Sequence, residues 1–292
     1  SYQQLSELVD GVFIALHGRP GEDGAVQDEL EKYGVPYNGS GVDSSQITIN
    51  KYRTNQMLKQ HGLKVAEQCL YAKADWDKDS ETLLKVITSE FDFPIIAKPV
   101  DDGCSSAVKK LDDREQLKAF LTLMFRDDTT KDEGALKLLG IKPNEEFPQK
   151  AQVLIENFIE KGPAKHFLEI TGGMLTHYND KGEVVYEVFE PSEALAGGGV
   201  LSLEEKFLAG EGQNITPARF GNSLAEYEHI AQQVKADLEK VARLVGVEGY
   251  CRIDAFVRVF DDLSVETIII EVNSLPGMTP ATCIFHQAAI NG

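Results

Sequence analysis

A chain of 292 residues, 42% hydrophobic and 26% charged, has the make-up of a soluble globular protein, and its length suggests about two domains. The formal net charge of −18 argues against nucleic acid or an anionic membrane as partner, so any phosphate site must be made locally, by backbone N–H groups, a few Lys and Arg, and a bound cation. No apolar run approaches the roughly 20 residues that span a bilayer and the start is not signal-like, while Cys69, Cys104, Cys251 and Cys283 show neither paired nor metal-ligand spacing, which points to the cytoplasm or another reducing compartment.

In chain order, the apolar run 11–16 reads as a strand, and 25–33 as a helix stopped by Gly34 and Pro36. Helices are predicted over 51–61, closed by Gly62, and over 80–91 and 113–125. Residues 93–97 read as a buried strand that enters Lys98 and Pro99. The polar stretch 126–150 reads as a mobile insertion. Strands are predicted at 153–158 and 165–171, and the glycine run 196–200 reads as a hinge. Residues 224–245 form a long amphipathic pattern, with Ile230, Val234, Leu238, Val241, Leu244 and Val245 on one face.

The last forty-odd residues carry the strongest signal. Residues 249–257 and 268–273 are rich in β-branched and apolar residues, with a turn at 260–264, and read as a hairpin. Side chains alternate faces along a strand, so Arg252 and Asp254 share one face, as do Glu271 and Asn273. A turn centred near Asp262 sets Asp254 roughly opposite Glu271, and Arg252 opposite Asn273. Two carboxylates, an amide and a guanidinium then form one polar square among Ile, Val and Phe. Such carboxylates need a compensating cation, and this oxygen set suits a hard cation such as Mg²⁺. A simple solvent-facing side of the hairpin is the alternative. Pro276 and Gly277 weigh against it, because they stop the strand abruptly and free backbone N–H groups for a ligand.

Arg-Ile-Asp at 252–254, followed by Glu-Val-Asn-Ser-Leu-Pro-Gly-Met-Thr at 271–279, resembles the D-alanine–D-alanine ligase family of ATP-grasp enzymes. The likeness extends in the family's order through His-Gly-Arg-Pro-Gly-Glu-Asp-Gly (17–24), Pro-Tyr-Asn-Gly-Ser-Gly-Val (36–42), Lys51, Ile-Ala-Lys-Pro (96–99) and Val-Leu-Ile-Glu (153–156). Segments 101–106 and 201–207 look most like the plant and algal branch. The resemblance implies an α/β protein of α+β subdomains with the ATP-grasp fold. Residues 1–48 would be part of a Rossmann-like preATP-grasp domain, which this chain enters late; 49–152 would be the central subdomain and 153–292 the carboxy-terminal one, with the metal site.

The resemblance also implies roles. Lys51 and Lys98 hold the α- and β-phosphates of ATP, and the loop 101–107, with Cys104 and Ser105, cradles phosphate. Glu156, with the backbone of Asn157, Phe158 and Ile159, reads adenine, and Glu169 holds the ribose. Lys206 contacts the γ-phosphate from a closing loop. Asp254, Glu271 and Asn273 hold two Mg²⁺. Arg252 and the Gly277 N–H stabilise a tetrahedral oxyanion; with Lys206 and Ser105 they make up the catalytic set. His17, Phe207 and Thr282 face the substrates. Taken alone, Lys98 reads as a snorkelling lysine at a strand end, Lys51 as a solvated helix start, 101–107 as a polar turn, 153–159 as a buried strand with a polar end, 205–207 as a surface loop and His17 as a satisfied loop histidine. The expected reaction joins two D-alanines through an acyl phosphate, on small-molecule substrates, with a homodimer admitted.

Two residues depart from the family pattern: Cys104 stands where a Ser of a hydrogen-bonded triad is usual, and Phe207 where a Tyr is usual. Phe at that place accompanies ligases that accept a hydroxy acid. Two other readings therefore stand beside the first: a ligase with a different second substrate such as D-lactate, and a degenerate nucleotide-binding or dimerisation module.

Overall fold

The computed structural model describes residues 1–102, 107–142, 145, 147–195, 214–278 and 282–291. In chain order the elements are α1 (Tyr2–Ser6), α2 (Ala25–Lys32), α3 (Val42–Thr48), α4 (Lys51–Gln60), β1 (Lys64–Val65), β2 (Gln68–Ala72), α5 (Lys73–Glu90), β3 (Ile95–Pro99), β4 (Lys109–Leu111), α6 (Arg114–Met124), α7 (Glu133–Leu138), β5 (Gln152–Asn157), β6 (His166–Tyr178), β7 (Val184–Val188), β8 (Ser192–Ala194), β9 (Asn214–Ile215), α8 (Leu224–Leu244), β10 (Tyr250–Val259), β11 (Val265–Asn273) and α9 (Cys283–Asn291). Among the described residues the chain divides into two compact units, 1–65 with 161–195 and 214–291, and 66–160. Strand β5 belongs to the second unit because it pairs on both sides there, with β2 and β3. The sequence-based limits at 48/49 and 152/153 thus differ from the divisions at 65/66 and 160/161.

The first unit is built on a mixed sheet of seven described strands in the order β1-β11-β10-β6-β8-β9, with β7 also paired to β6. One face is apolar: Ile253, Ala255 and Val257 of β10 and Ile170 of β6 pack in one core with Ile230, Val234, Leu238 and Val241 of α8. These are the helix positions expected from the 3.6-residue period. Leu244, expected on the same face, is half-buried and packs against that core. The glycine pair Gly172–Gly173 on β6 is needed for close packing. A Cβ on Gly172 would come within 2.4 Å of Leu238 Cδ1, and one on Gly173 within 2.4 Å of Gln287 Oε1 on α9.

The second unit is an antiparallel sheet, β2-β5-β3-β4. Ile95, Ala97, Val153, Ile155 and Leu111 face a core shared with Leu84 and Ile87 of α5 and Leu117, Phe120 and Leu121 of α6. Directly paired residues share a face, so the register Lys98↔Leu154 and Ile96↔Glu156 puts Lys98 and Glu156 on the other face. Helix α5 begins earlier than the predicted residue 80. It breaks at Asp79, whose carboxylate accepts from Thr82 N at 3.0 Å and caps the second segment.

Two expectations fail. Residues 11–16 form no ladder; Val12 makes a single parallel bridge to Tyr37. The run has strand composition, but among the described residues it has no neighbour that continues the pairing. Residues 126–150 are not a loose insertion where described. They contain α7, bury Ala135, Ile141 and Phe147, and pack Phe147 edge-on to Phe120 at 5.6 Å. Arg126 donates to the Phe147 carbonyl at 2.8 Å and Lys131 to the Glu145 carbonyl at 2.6 Å. The segment's polar composition concealed three well-spaced apolar anchors. Strand β6 also runs to Tyr178, well past residue 171.

Candidate active site

The hairpin β10–β11 pairs Asp254 with Glu271 and Arg252 with Asn273, as the sequence pattern predicts. The turn alone does not produce that register. Near the turn the ladder runs Val259↔Val265 to Ala255↔Ile269, and its continuation would set Ile270 opposite Asp254 and Glu271 on the far face. A bulge between Asp254 and Ala255 takes up Ile270 and restores Glu271 to the face of Asp254. That face lies opposite the apolar one under α8.

On it the charges form a network. Arg252 Nε and NH2 donate to Asp254 Oδ1 and Oδ2 at 3.1 and 3.0 Å, and NH2 lies 3.9 Å from Glu271 Oε1. Lys51, at the start of α4, lies 3.3 Å from Glu271 Oε2. Burial opposes the charge of Arg252, yet the Asp254 and Glu271 carboxylates outweigh it and hold the guanidinium pKa above its usual value. Thr171 Oγ1 on β6 donates to Asp254 Oδ1. Asn273 is buried, and its Nδ2 has no hydrogen-bond partner among the described residues. The amide can be turned to place its oxygen there, so an orphaned position beside two carboxylates fits an oxygen-seeking cation. Among the described residues no three His, Cys, Asp or Glu converge as a metal cluster; the expected set has two carboxylates and an amide.

Beside the network, the loop after β11 is tied to the His17 loop by Glu22. Its Oε1 accepts from Leu275 N at 3.1 Å and its Oε2 from Gly18 N at 2.6 Å. His17 Nδ1 lies 3.0 Å from both Glu22 Oε2 and the Leu275 carbonyl. Gly277 follows two residues later, half-buried, and half-buried Thr282 immediately precedes α9. Glu169 on β6 is on the Asp254 face, two residues from Thr171 and directly opposite Phe256.

In the second unit, Lys98 and Glu156 meet at 2.7 Å with side chains only 5% and 8% exposed. Lys98 therefore is no snorkelling strand end. Glu156 Oε1 is buried without a hydrogen-bond partner among the described residues, which suits an incoming N–H donor. Asn157 N donates to the Glu67 carbonyl at 3.0 Å, and Lys110 sits over the Phe158 ring at 4.8 Å; Ile159 is half-buried. Of the predicted site, Cys104, Ser105, Lys206 and Phe207 lie outside the described residues. Sequence reasoning gave no role to Glu22, although it lies inside a quoted motif, or to Thr171. A single Thr in an apolar strand carries no signal of its own; only the pairing Asp254↔Thr171 reveals it.

Residues 1–40 match the D-ala D-ala ligase N-terminus family, and residues 57–131 and 141–292 the D-ala D-ala ligase C-terminus family. The chain is 32% identical to a D-alanine–D-alanine ligase of Leptospira interrogans, over 99% of this chain and 71% of the relative. It is 29% identical to one of Syntrophobacter fumaroxidans, over 97% and 76%. Its fold is similar to those of the VanG D-Ala:D-Ser ligase of Enterococcus faecalis (TM-score 0.68, 22% identity, 97% of this chain and 69% of that one) and the ATP complex of a D-alanine–D-alanine ligase of Bacillus anthracis (TM-score 0.63, 23% identity, 99% and 76%). With its ATP-grasp fold and matches over nearly its whole length, the chain belongs to the D-alanine–D-alanine ligase family.

Proposed function

We propose that the chain is an ATP-dependent ligase that joins two D-alanines, the reaction its relatives are named for, and that it does so through an acyl phosphate. The observation that supports this reading most is the facing of Asp254 and Glu271 on one sheet face, compensated by Arg252 and Lys51. Lys51 and Lys98 neutralise phosphate charge, and Glu156 accepts from the adenine edge through its orphaned Oε1. Asp254, Glu271 and Asn273 would hold two Mg²⁺, which supply charge neutralisation along the phosphates. The carboxylate of the first D-alanine attacks the γ-phosphorus and ADP departs. The amine of the second attacks the acyl carbon, and phosphate leaves. The oxyanion formed on the way meets Arg252 and the Gly277 N–H, while Thr282 orients the second carboxylate. Further proposals are Lys206 over the γ-phosphate with Ser105 in the catalytic set, Glu169 on the ribose, His17 near the first substrate, a homodimer, and a place in the plant and algal branch.

A second reading rests on Cys104 and Phe207, which lack the hydroxyls of the family's usual Ser and Tyr. On that reading the second site accepts D-lactate and forms some ester. Incubation with ATP, Mg²⁺ and D-alanine, with and without D-lactate, tests both. ADP, phosphate and dipeptide in equal amounts support the first; added ester supports the second. Phosphate with neither product points to another substrate, and no ATP turnover by folded protein favours a degenerate nucleotide-binding module.

A further inference from the structure

Gln287 lies in the middle of α9 and is fully buried. A helix docked merely by packing would carry an apolar residue there, because a buried amide is costly unless hydrogen-bonded. This amide is heavily used. Its Oε1 accepts from Gly173 N at 2.9 Å; its Nε2 donates to the Thr171 carbonyl at 2.7 Å and to Ser192 Oγ at 2.9 Å. Gly173 is what lets the amide approach, since a Cβ there would lie 2.4 Å from Oε1. One side chain thus grips β6 on both sides of Gly172 and holds β8 as well. Thr171, gripped through its carbonyl, is 9% exposed and passes its hydroxyl proton donor to Asp254 Oδ1. Directly across the ladders, Thr171 pairs with Asp254 on one side and Ser192 on the other. The helix that carries Gln287 begins directly after Thr282.

We propose that Gln287 and Thr171 are positioning residues. They fix the orientation of the Asp254 carboxylate and couple it to the helix that follows Thr282. Arg252 holds both oxygens of the carboxylate, the Thr171 hydroxyl adds a second donor to Oδ1 from the neighbouring strand, and the grip of Gln287 on the Thr171 peptide sets that hydroxyl. The same amide anchors α9, so Thr282 and Asp254 are held in one frame. The inference rests on the reading of Asp254 as a metal ligand.

Mn²⁺ binding to the full chain with a non-hydrolysable ATP analogue, followed by electron paramagnetic resonance, tests it without turnover. Thr171→Val and Gln287→Met each weaken Mn²⁺ binding about ten- to a hundredfold, the usual loss when a group that orients a metal ligand is removed. Thr171→Ser, which keeps the hydroxyl, restores wild-type binding. In turnover at Mg²⁺ concentrations that saturate each variant, Gln287→Met raises KM for the second substrate and leaves KM for ATP unchanged, a split that loss of stability alone would not give. Asp254→Asn is the control. If it leaves Mn²⁺ binding intact, the ligand reading fails and the inference falls with it. If it abolishes binding while Thr171→Val binds Mn²⁺ like wild type, the inference alone is overturned. Should Gln287→Met not fold, Thr171→Val and Thr171→Ser decide.

Discussion

The two units each bury charge on one face of a sheet, and they do so differently. In the four-stranded sheet, Lys98 and Glu156 form a two-member pair at 2.7 Å, nearly dry at 5% and 8% exposure. In the seven-stranded sheet, two carboxylates share two cations at 3.0–3.9 Å, with Arg252 24% and Glu271 13% exposed. A dry pair is all or nothing, because removal of one ion strands the other in low dielectric. A wetter network redistributes charge when one member leaves. In the function proposed above, the first arrangement serves as a fixed wall for the nucleotide, and the second as a set of carboxylates whose compensating cation is exchanged for another.

The largest expected effect breaks the dry pair. Lys98→Met leaves Glu156 buried and uncompensated, and should destabilise the second unit by about 3–5 kcal/mol. Trp76, the chain's one Trp, packs against Phe125 in that unit, so denaturant titration followed by its fluorescence reads the loss. The double variant Lys98→Met with Glu156→Leu should recover most of the stability while ATP binding stays lost. A loss below about 1 kcal/mol in the single variant would put it in the range of exposed pairs and remove the contrast.

Next comes Glu271→Gln in the network. The amide keeps the volume and loses the charge, so stability should change little. Phosphoryl transfer should fall by about a hundredfold or more, equivalent to roughly 3 kcal/mol of lost charge stabilisation. Near-wild-type ADP release would remove Glu271 from the metal site. Lys51→Met is the milder perturbation. Arg252 remains beside Glu271, so the stability cost should be about 1–2 kcal/mol, below that of Lys98→Met. Equal costs for the two lysines, measured in the same denaturant series, would mean that the network does not share its charge.

Much of this was legible in residue types and spacing. The α8 stripe follows the helical period, and alternation with a turn near Asp262 brings Glu271 within one residue of its place opposite Asp254. What could not be read was the bulge that makes that pairing work, because three successive isoleucines, Ile268 to Ile270, look alike on either face. The Lys98–Glu156 contact was also hidden: both residues were singled out, but for separate tasks, and only the β3–β5 register joins them. Gln287 stands 114 residues from Gly173 along the chain, in a helix with little amphipathic signal, so nothing local marks it. The strand expected at 11–16 failed for the complementary reason, since composition proposes a strand but a neighbour must complete it.

The smallest expected effect separates the units by acid. In the first unit burial alone would raise Glu190, Glu193 and Glu266, yet their partners outweigh it and hold all three below the usual carboxylate range. The partners are Lys235 with the Tyr227 hydroxyl, Arg219, and Arg258 with Lys64. In the second unit Glu81 is lowered to about 2 by Arg114 and Lys118, but all three side chains are more than 40% exposed and salt screens them. A carboxylate depressed on folding contributes stability above its unfolded pKa, about 4.3 for Glu, and loses it as pH falls through the folded value. From about pH 5 downward the first unit should therefore weaken sooner, because its three carboxylates, 25%, 11% and 22% exposed, are more buried than Glu81 at 51% and so less screened. Amide exchange along β10 should rise at a higher pH than that at which Trp76 fluorescence changes, and Glu193→Gln should flatten the β10 dependence. Coincident transitions, or a midpoint for the first unit that shifts with 0.5 M salt (Debye length roughly 4 Å) as much as that of the second, would show that the difference in burial between these pairs does not carry over into stability.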